Sequence, residues 1–272
     1  MSAKRSALDT EERAQVEEMT GVKTSVIYEA IRAEGEHELS RPFSALWWSG
    51  VTAGVAISMS LVSMGFLQTV VPEASWAPAV VSLGYPVGFL IVILGRMQLF
   101  TENTVTPILP LFHKPSRENL LRTGRLWAIV FAANIVGCLL AAVFLVYVHI
   151  VPAPHLESIL AISRHYASAT PLEHLTWGMP AGFLIAALVW ILPRMEGAGE
   201  ILAITILTYM IGLGGLSHVV AGSTELFVLV LHGELGPLNA VLGGIVPAFL
   251  GNALGGTGMF AVLTYAQVRE EV

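Results

Sequence analysis

The sequence predicts an all-α membrane protein: six transmembrane helices in two inverted three-helix repeats, with the second and fifth helices broken. Three observations carry that prediction. Hydrophobic residues fill 54% of the 272 positions against 12% charged, and the mean hydropathy is +0.70, too apolar for an ordinary soluble domain. Six long apolar segments follow one another, at 44–70, 79–112, 126–151, 174–193, 201–231 and 239–266. The second and the fifth are interrupted midway by polar and ionisable groups.

The chain divides into a charge-rich segment (1–42), a membrane domain (43–268) and a short tail (269–272). Ser2 to Pro42 lacks the apolar run of a secretory signal, so it is expected to stay in the mature protein as a cytoplasmic helical appendage. Asp9-Thr10-Glu11-Glu12 suits a helix start, because a polar cap followed by acids satisfies and complements the exposed N–H groups. Val16, Met19, Val22, Val26, Ile27, Ala30 and Ile31 then recur at roughly helical spacing. Two readings of this stripe stay open: docking on a neighbouring subunit or the membrane surface, and a solvated, partly ordered tail.

A bilayer core about 30 Å thick needs about 20 apolar residues per helix, so each long segment is expected to cross the lipid once. The second connection carries Lys114, Arg117, Arg122 and Arg125 and the fourth carries Arg194, whereas the third has only Arg164 and the others have no Lys or Arg. Lys and Arg favour the cytoplasmic side, which places both termini inside a multi-pass cytoplasmic (inner) membrane protein. The broken segments occupy matching places in successive groups of three. Groups of odd number enter the membrane in opposite directions, so the repeats are related by an axis in the membrane plane and their binding elements meet at its middle. Each group ends on a comparable helix, Ala133-Asn134-Ile135-Val136-Gly137 in one and Gly251-Asn252-Ala253-Leu254-Gly255-Gly256 in the other. Small residues allow close helix approach, and Asn134 and Asn252 are expected to hydrogen-bond across the interface rather than line a pore.

The first break reads Arg96-Met97-Gln98-Leu99-Phe100-Thr101-Glu102-Asn103; the second runs from Gly214 through His218 to Glu225. Irregular backbone and ionisable groups survive at that depth only inside protein or beside a water-filled cavity, so the breaks are expected to line a passage. A lone histidine in a soluble core is ordinarily a satisfied packing residue. Within a membrane the expense makes function the default for His218, whose imidazole changes charge near neutral pH. Gly214, Gly215 and Gly222 permit an unwound loop that aims the ring. Arg96, Glu102 and Glu225 each cost several kcal/mol if left unpaired in low dielectric, so they are expected to be paired, hydrated or protonated. Arg96 and Glu102 lie six apart, poor spacing on one helix but feasible across unwound chain. A structural ion pair and a direct part in permeation both stand open for them. For Thr101, a hydroxyl offered to a solute and one that satisfies the broken helix are equally open.

Several classes are excluded. The net charge of −6 comes largely from the first forty residues and offers no basic face for nucleic acid. The single cysteine, Cys138, reads as a small core residue and allows neither a disulfide framework nor a cysteine metal cluster within one chain. No cofactor or metal signature is present, and the absence of His-Glu-x-x-His, paired intramembrane aspartates or a nucleophile elbow argues against an enzyme.

Leu99-Phe100-Thr101 in the broken second segment, His218-Val219-Val220-Ala221 in the broken fifth, and Gly251-Asn252-Ala253-Leu254-Gly255-Gly256 together resemble the formate/nitrite transporter family, over about residues 44–266. The resemblance implies an aquaporin-like protomer with its own pore, assembled in the bilayer as a homopentamer and passing small monovalent anions such as formate, nitrite or hydrosulfide. It implies that Leu99, Phe100 and Thr101 sit on one pore loop and His218 with Val220 on the other, between two hydrophobic constrictions. Departures mark a divergent subgroup. Arg96 stands where family members carry a small uncharged residue and Gly222 where an Asn follows the His, while Glu102 and Glu225 add charge to the pore centre. The family's vestibule lysine has Arg164 and His165 as its nearest candidates, alongside Glu157 and Glu173. The fourth helix, Gly178-Met179-Pro180-Ala181-Gly182-Phe183, lacks the usual polar Asn.

A bare anion in a dry constriction pays a desolvation cost on the order of tens of kcal/mol in the Born limit, so crossing as the neutral weak acid, with His218 relaying the proton, is the expected mechanism. Two rivals remain: a non-conducting membrane sensor or scaffold with a locked charged centre, and a channel for a neutral or cationic solute because of the acidic groups.

Overall fold

The computed structural model describes Asp9 and residues 22–271, and the described elements are helical throughout. Thr10, Glu11, Glu12, Val16 and Met19, assigned from sequence to a helix start and an apolar stripe, lie outside the described residues. Helix α1 (Thr24–Ser40) buries Ile27, Tyr28, Ile31, Gly35 and Leu39, while Val22 and Val26 are exposed. The described part of the stripe is therefore rotated from its expected register, and it docks on its own chain. Tyr28 donates to the Leu109 carbonyl at 3.4 Å and lies tilted against Tyr265, with centroids 6.1 Å apart.

Among the described residues, five helices are long and apolar enough to cross a membrane: α2 (Phe43–Val70), α3 (Ala77–Leu94), α5 (Arg117–Val148), α7 (Pro171–Arg194) and α10 (Pro237–Val268). The remaining crossing is split between two shorter apolar helices, α8 (Ala198–Leu213) and α9 (Val219–His232). Helix α3 is completed in the same manner by the short α4 (Ile108–His113). The six crossings thus form two inverted repeats, α2–α5 and α7–α10, each with a broken middle member.

The two repeats pack by the same device. In the first, Gly54 of α2 lies so close to α5 that a Cβ on it would sit 2.2 Å from the Asn134 carbonyl. In the second, a Cβ on Gly182 of α7 would sit 2.2 Å from the Asn252 carbonyl of α10. Only glycine lets the backbones approach this far, and such contact replaces the hydrophobic drive that lipid cannot supply.

One element was not anticipated. Residues 152–171, read as a connection, contain helix α6 (Ala153–Ala167), which buries Ile159, Leu160 and Ser163. It lies on α2, where Thr69 Oγ1 meets Ser158 Oγ at 2.9 Å and His155 Nδ1 at 3.0 Å. The α1 and α6 layers cover opposite ends of the bundle.

Candidate functional site

The broken helices end against each other in the middle of the bundle. Helix α3 stops at Leu94; Arg96 then takes the left-handed conformation (φ 48°), at a cost of about 1–2 kcal/mol, and the chain runs irregularly to a 3-10 turn at Glu102–Thr104. Helix α8 stops at Leu213, and Gly215 (φ 60°), free of that cost, redirects the chain into α9.

One asparagine pins each loop. Asn134 Oδ1 accepts from the Phe100 N–H at 2.9 Å, and its Nδ2 donates to the Gln98 and Gly50 carbonyls, both at 2.8 Å. Asn252 repeats the pattern, accepting from the Val219 N–H at 2.8 Å and donating to Ser217 at 2.7 Å and Gly178 at 2.9 Å. Backbone groups that lose helical partners at the breaks therefore recover them from a single amide on each side.

Where the loops meet, Thr101 Oγ1 and His218 Nε2 are 2.8 Å apart. His218 also caps α9, its Nδ1 accepting from the Ala221 N–H at 3.2 Å. A ring nitrogen that accepts carries no hydrogen, so the neutral ring bears its hydrogen on Nε2 and donates it to Thr101. Phe89 covers the ring edge-on at 4.9 Å, and Phe100 stacks on Phe249 at 4.7 Å. Thr101, His218, Phe100 and Val220 are fully buried.

A cavity opens on either side of this plug. The one at the α1 end, about 440 Å³, is lined by Leu99, Arg96, Glu102, Glu34, Glu38 and Glu200 among others. The one at the α6 end, about 230 Å³, is lined by Ser217, Glu225, Tyr85, Tyr166, His165 and His174 among others. Thr101, Phe100, His218 and Val220 line neither.

Three expectations are corrected by this geometry. Arg96, Glu102 and Glu225 do not charge the centre: the first two face the α1-side cavity and the third the opposite one. No ion pair among the described residues includes any of them, so the structural pair, one of the two readings left open, does not form. Arg96 is exposed where α3 ends, whereas Glu102 Oε1 is buried in the 3-10 turn without a hydrogen-bond partner. Gly222 does not belong to an unwound loop; it lies within α9, packed against the Tyr166 ring.

Sequence reasoning missed His174, whose Nδ1 lies 2.9 Å from Ser217 Oγ and whose ring packs at a tilt against Tyr166, centroids 4.7 Å apart. The signal was present: an ionisable ring in the first turn of an apolar segment is as expensive as His218. Of the suggested vestibule groups, His165 lines the α6-side cavity, but Arg164 is exposed and engaged in two bonds to Glu234, at 2.6 and 2.7 Å. Those bonds, with His232 Nδ1 at 2.9 Å, hold the Glu234 carboxyl down at about 2.

The bundle and its plugged, two-mouthed centre define a multi-pass helical membrane protein of the channel or transporter class. A family model described as "Formate/nitrite transporter" matches residues 25–266, and the chain belongs to that family. It is 37% identical over 250 residues to "Inner membrane protein YfdC" of Escherichia coli (strain K12), covering 92% of this chain and 80% of that protein. Among solved structures, "FNT family ion channel" superposes with a TM-score of 0.78 at 18% identity, covering 89% of this chain and 99% of the other. "Pentameric formate channel with formate bound" gives 0.71 at 17%, covering 84% and 98%. At these identities the structures establish the shared aquaporin-like fold.

Proposed function

We propose that the protein is a channel for small monovalent anions or their conjugate weak acids, of the formate, nitrite or hydrosulfide class, with His218 as central proton relay. The observation that carries this reading is the 2.8 Å contact between Thr101 on one broken helix and His218 on the other, at a dry constriction between two cavities. Leu99, Phe100 and Val220 supply its apolar walls. Only Nε2 faces Thr101, so a solute reaches the ring through the Thr101 hydroxyl; protonating Nδ1 would displace the Ala221 N–H. Flux into vesicles carrying His218→Phe is expected to lose the wild-type pH dependence, and an unchanged profile removes the relay.

The α1 end is assigned to the cytoplasm, making residues 1–42 and 269–272 cytoplasmic flanks of the 43–268 membrane domain. Lys114, Arg117, Arg122, Arg125 and Arg194 lie toward that end, against Arg164 at the other. A homopentamer in the inner membrane is the proposed assembly, supported by the fold shared with a pentameric formate channel and by the inner-membrane relative.

Two observations favour other readings. Four carboxylates, Glu34, Glu38, Glu102 and Glu200, face Arg96 in the α1-side cavity, which suits a neutral or cationic solute. Formate, hydrosulfide and ammonium fluxes in one vesicle preparation separate these cases. The occluded centre suits a non-conducting sensor or scaffold, which solute flux above that of empty vesicles rules out.

A further inference from the structure

We infer that Glu225 and Glu102 are the groups that load and unload the proton travelling with the solute, one carboxyl serving each cavity. The inference rests on the channel reading but not on His218 acting as relay. Each cavity holds, next to the central plug, a carboxyl with neither an ion-pair nor a hydrogen-bond partner among the described residues; Glu34 on α1 and Glu200 on α8 also lack partners in the α1-side cavity, but Glu102 is the one that adjoins Thr101. Glu225 is 8% exposed, and the exposed remainder faces the α6-side cavity. It lies seven residues beyond His218, two turns or about 10 Å along the same face of α9. Glu102 follows Thr101 directly and faces the α1-side cavity with Oε1 buried and unpartnered.

The surroundings of each carboxyl suit proton exchange better than charge pairing. The titratable groups facing Glu225 are Tyr85 from α3, Tyr166 and His165 from α6 and His174 from α7, with no Lys or Arg among them. Facing Glu102 are Glu34 and Glu38 from α1, Glu200 from α8 and Arg96 from its own loop. Glu38 is already engaged by Arg41 at 3.1 Å and Gln98 at 2.8 Å, and Arg96 makes no ion pair. A carboxyl free of a salt bridge can give up and take back a proton, whereas one locked to a cation is held as the carboxylate.

The step balances as follows. In the α6-side cavity the anion takes the proton of the Glu225 carboxylic acid, leaving a carboxylate that water on that side reprotonates. The neutral acid crosses the plug, and on the far side the Glu102 carboxylate accepts the proton and passes it to water there. One anion and one proton move together, and the sequence runs equally in reverse.

The test uses formate flux into vesicles holding the full chain, with pH set independently on each side. Glu225→Gln and Glu102→Gln keep shape but hold no transferable proton. Each is expected to lower flux on the order of tenfold or more and to flatten its response to acidification of the side its cavity opens on. Glu225→Asp and Glu102→Asp are expected to restore the response. Wild-type pH profiles in both Gln variants overturn the inference while leaving the channel standing. Wild-type vesicles no more permeable to formate than empty ones overturn the channel reading itself. Should a Gln variant fail to fold, infrared difference spectra of the unaltered protein decide. Formate is expected to perturb protonated-carboxyl bands, and spectra without such a change overturn the inference.

Discussion

The two repeats are near copies of each other at the centre and unlike at their mouths. Asn134 and Asn252 each make three hydrogen bonds to the same kinds of backbone group, and a Cβ added to Gly54 or to Gly182 would meet the partner asparagine's carbonyl at the same 2.2 Å. The α1-side cavity, by contrast, is walled by carboxylates, and the α6-side cavity by Tyr85, Tyr166, His165 and His174 around one Glu225. Lipid imposes one rule on both halves, that broken backbone be satisfied from within, so both arrive at one solution. Water at the mouths imposes no such rule, and there the halves have diverged.

The sharpest way to break the comparison is to remove the pins. Asn134→Ala and Asn252→Ala each strand two buried loop groups, one N–H and one carbonyl, at about 1–3 kcal/mol apiece. Thermal unfolding in detergent is expected to show a loss of about 2 kcal/mol or more for each, nearly equal between them; a clear inequality would end the claim of equivalent halves. Gly54→Ala and Gly182→Ala come next, at about 1–3 kcal/mol each from overpacking, again as a matched pair. Ser217→Ala probes the divergence instead. It costs His174 its 2.9 Å partner, expected at about 1 kcal/mol, with a change in flux driven from the α6 side only.

The smallest effect belongs to the exposed Arg164–Glu234 pair. Its carboxyl is held down at about 2, below its ordinary value in the unfolded chain. The pair's contribution is therefore present in full above about pH 4.5 and drains away as pH falls toward 2. Unfolding temperatures of wild type and Arg164→Ala are expected to converge over that acid range and to keep a constant small offset at neutral pH. Solvent and salt screen the pair, which keeps the offset slight.

The crossings and their breaks were legible because lipid demands long apolar runs, and a histidine or glycine pair inside one is conspicuous. The asparagine pins were legible by position, since each falls at a matching place in its repeat. Depth was not legible. Counting residues from Leu99 or His218 puts Glu102 and Glu225 near the middle, but irregular backbone carries one into the α1-side cavity and two helical turns carry the other into the opposite one. Helix α6 escaped notice because its apolar residues are sparse beside those of its neighbours, and prolines bracket it at Pro152 and Pro171. The docking of α1 onto Leu109 joins residues far apart in sequence, which no local pattern announces.

A ring that closes off a helix cannot swing like a turnstile. One nitrogen of His218 belongs to the first turn of α9 and the other to Thr101, so rotating the imidazole aside would fray a buried helix and strand a hydroxyl in one motion. Dilating the throat falls instead to its hydrocarbon neighbours, Phe89, Leu99 and Val220, which can change rotamer without breaking a single polar contact.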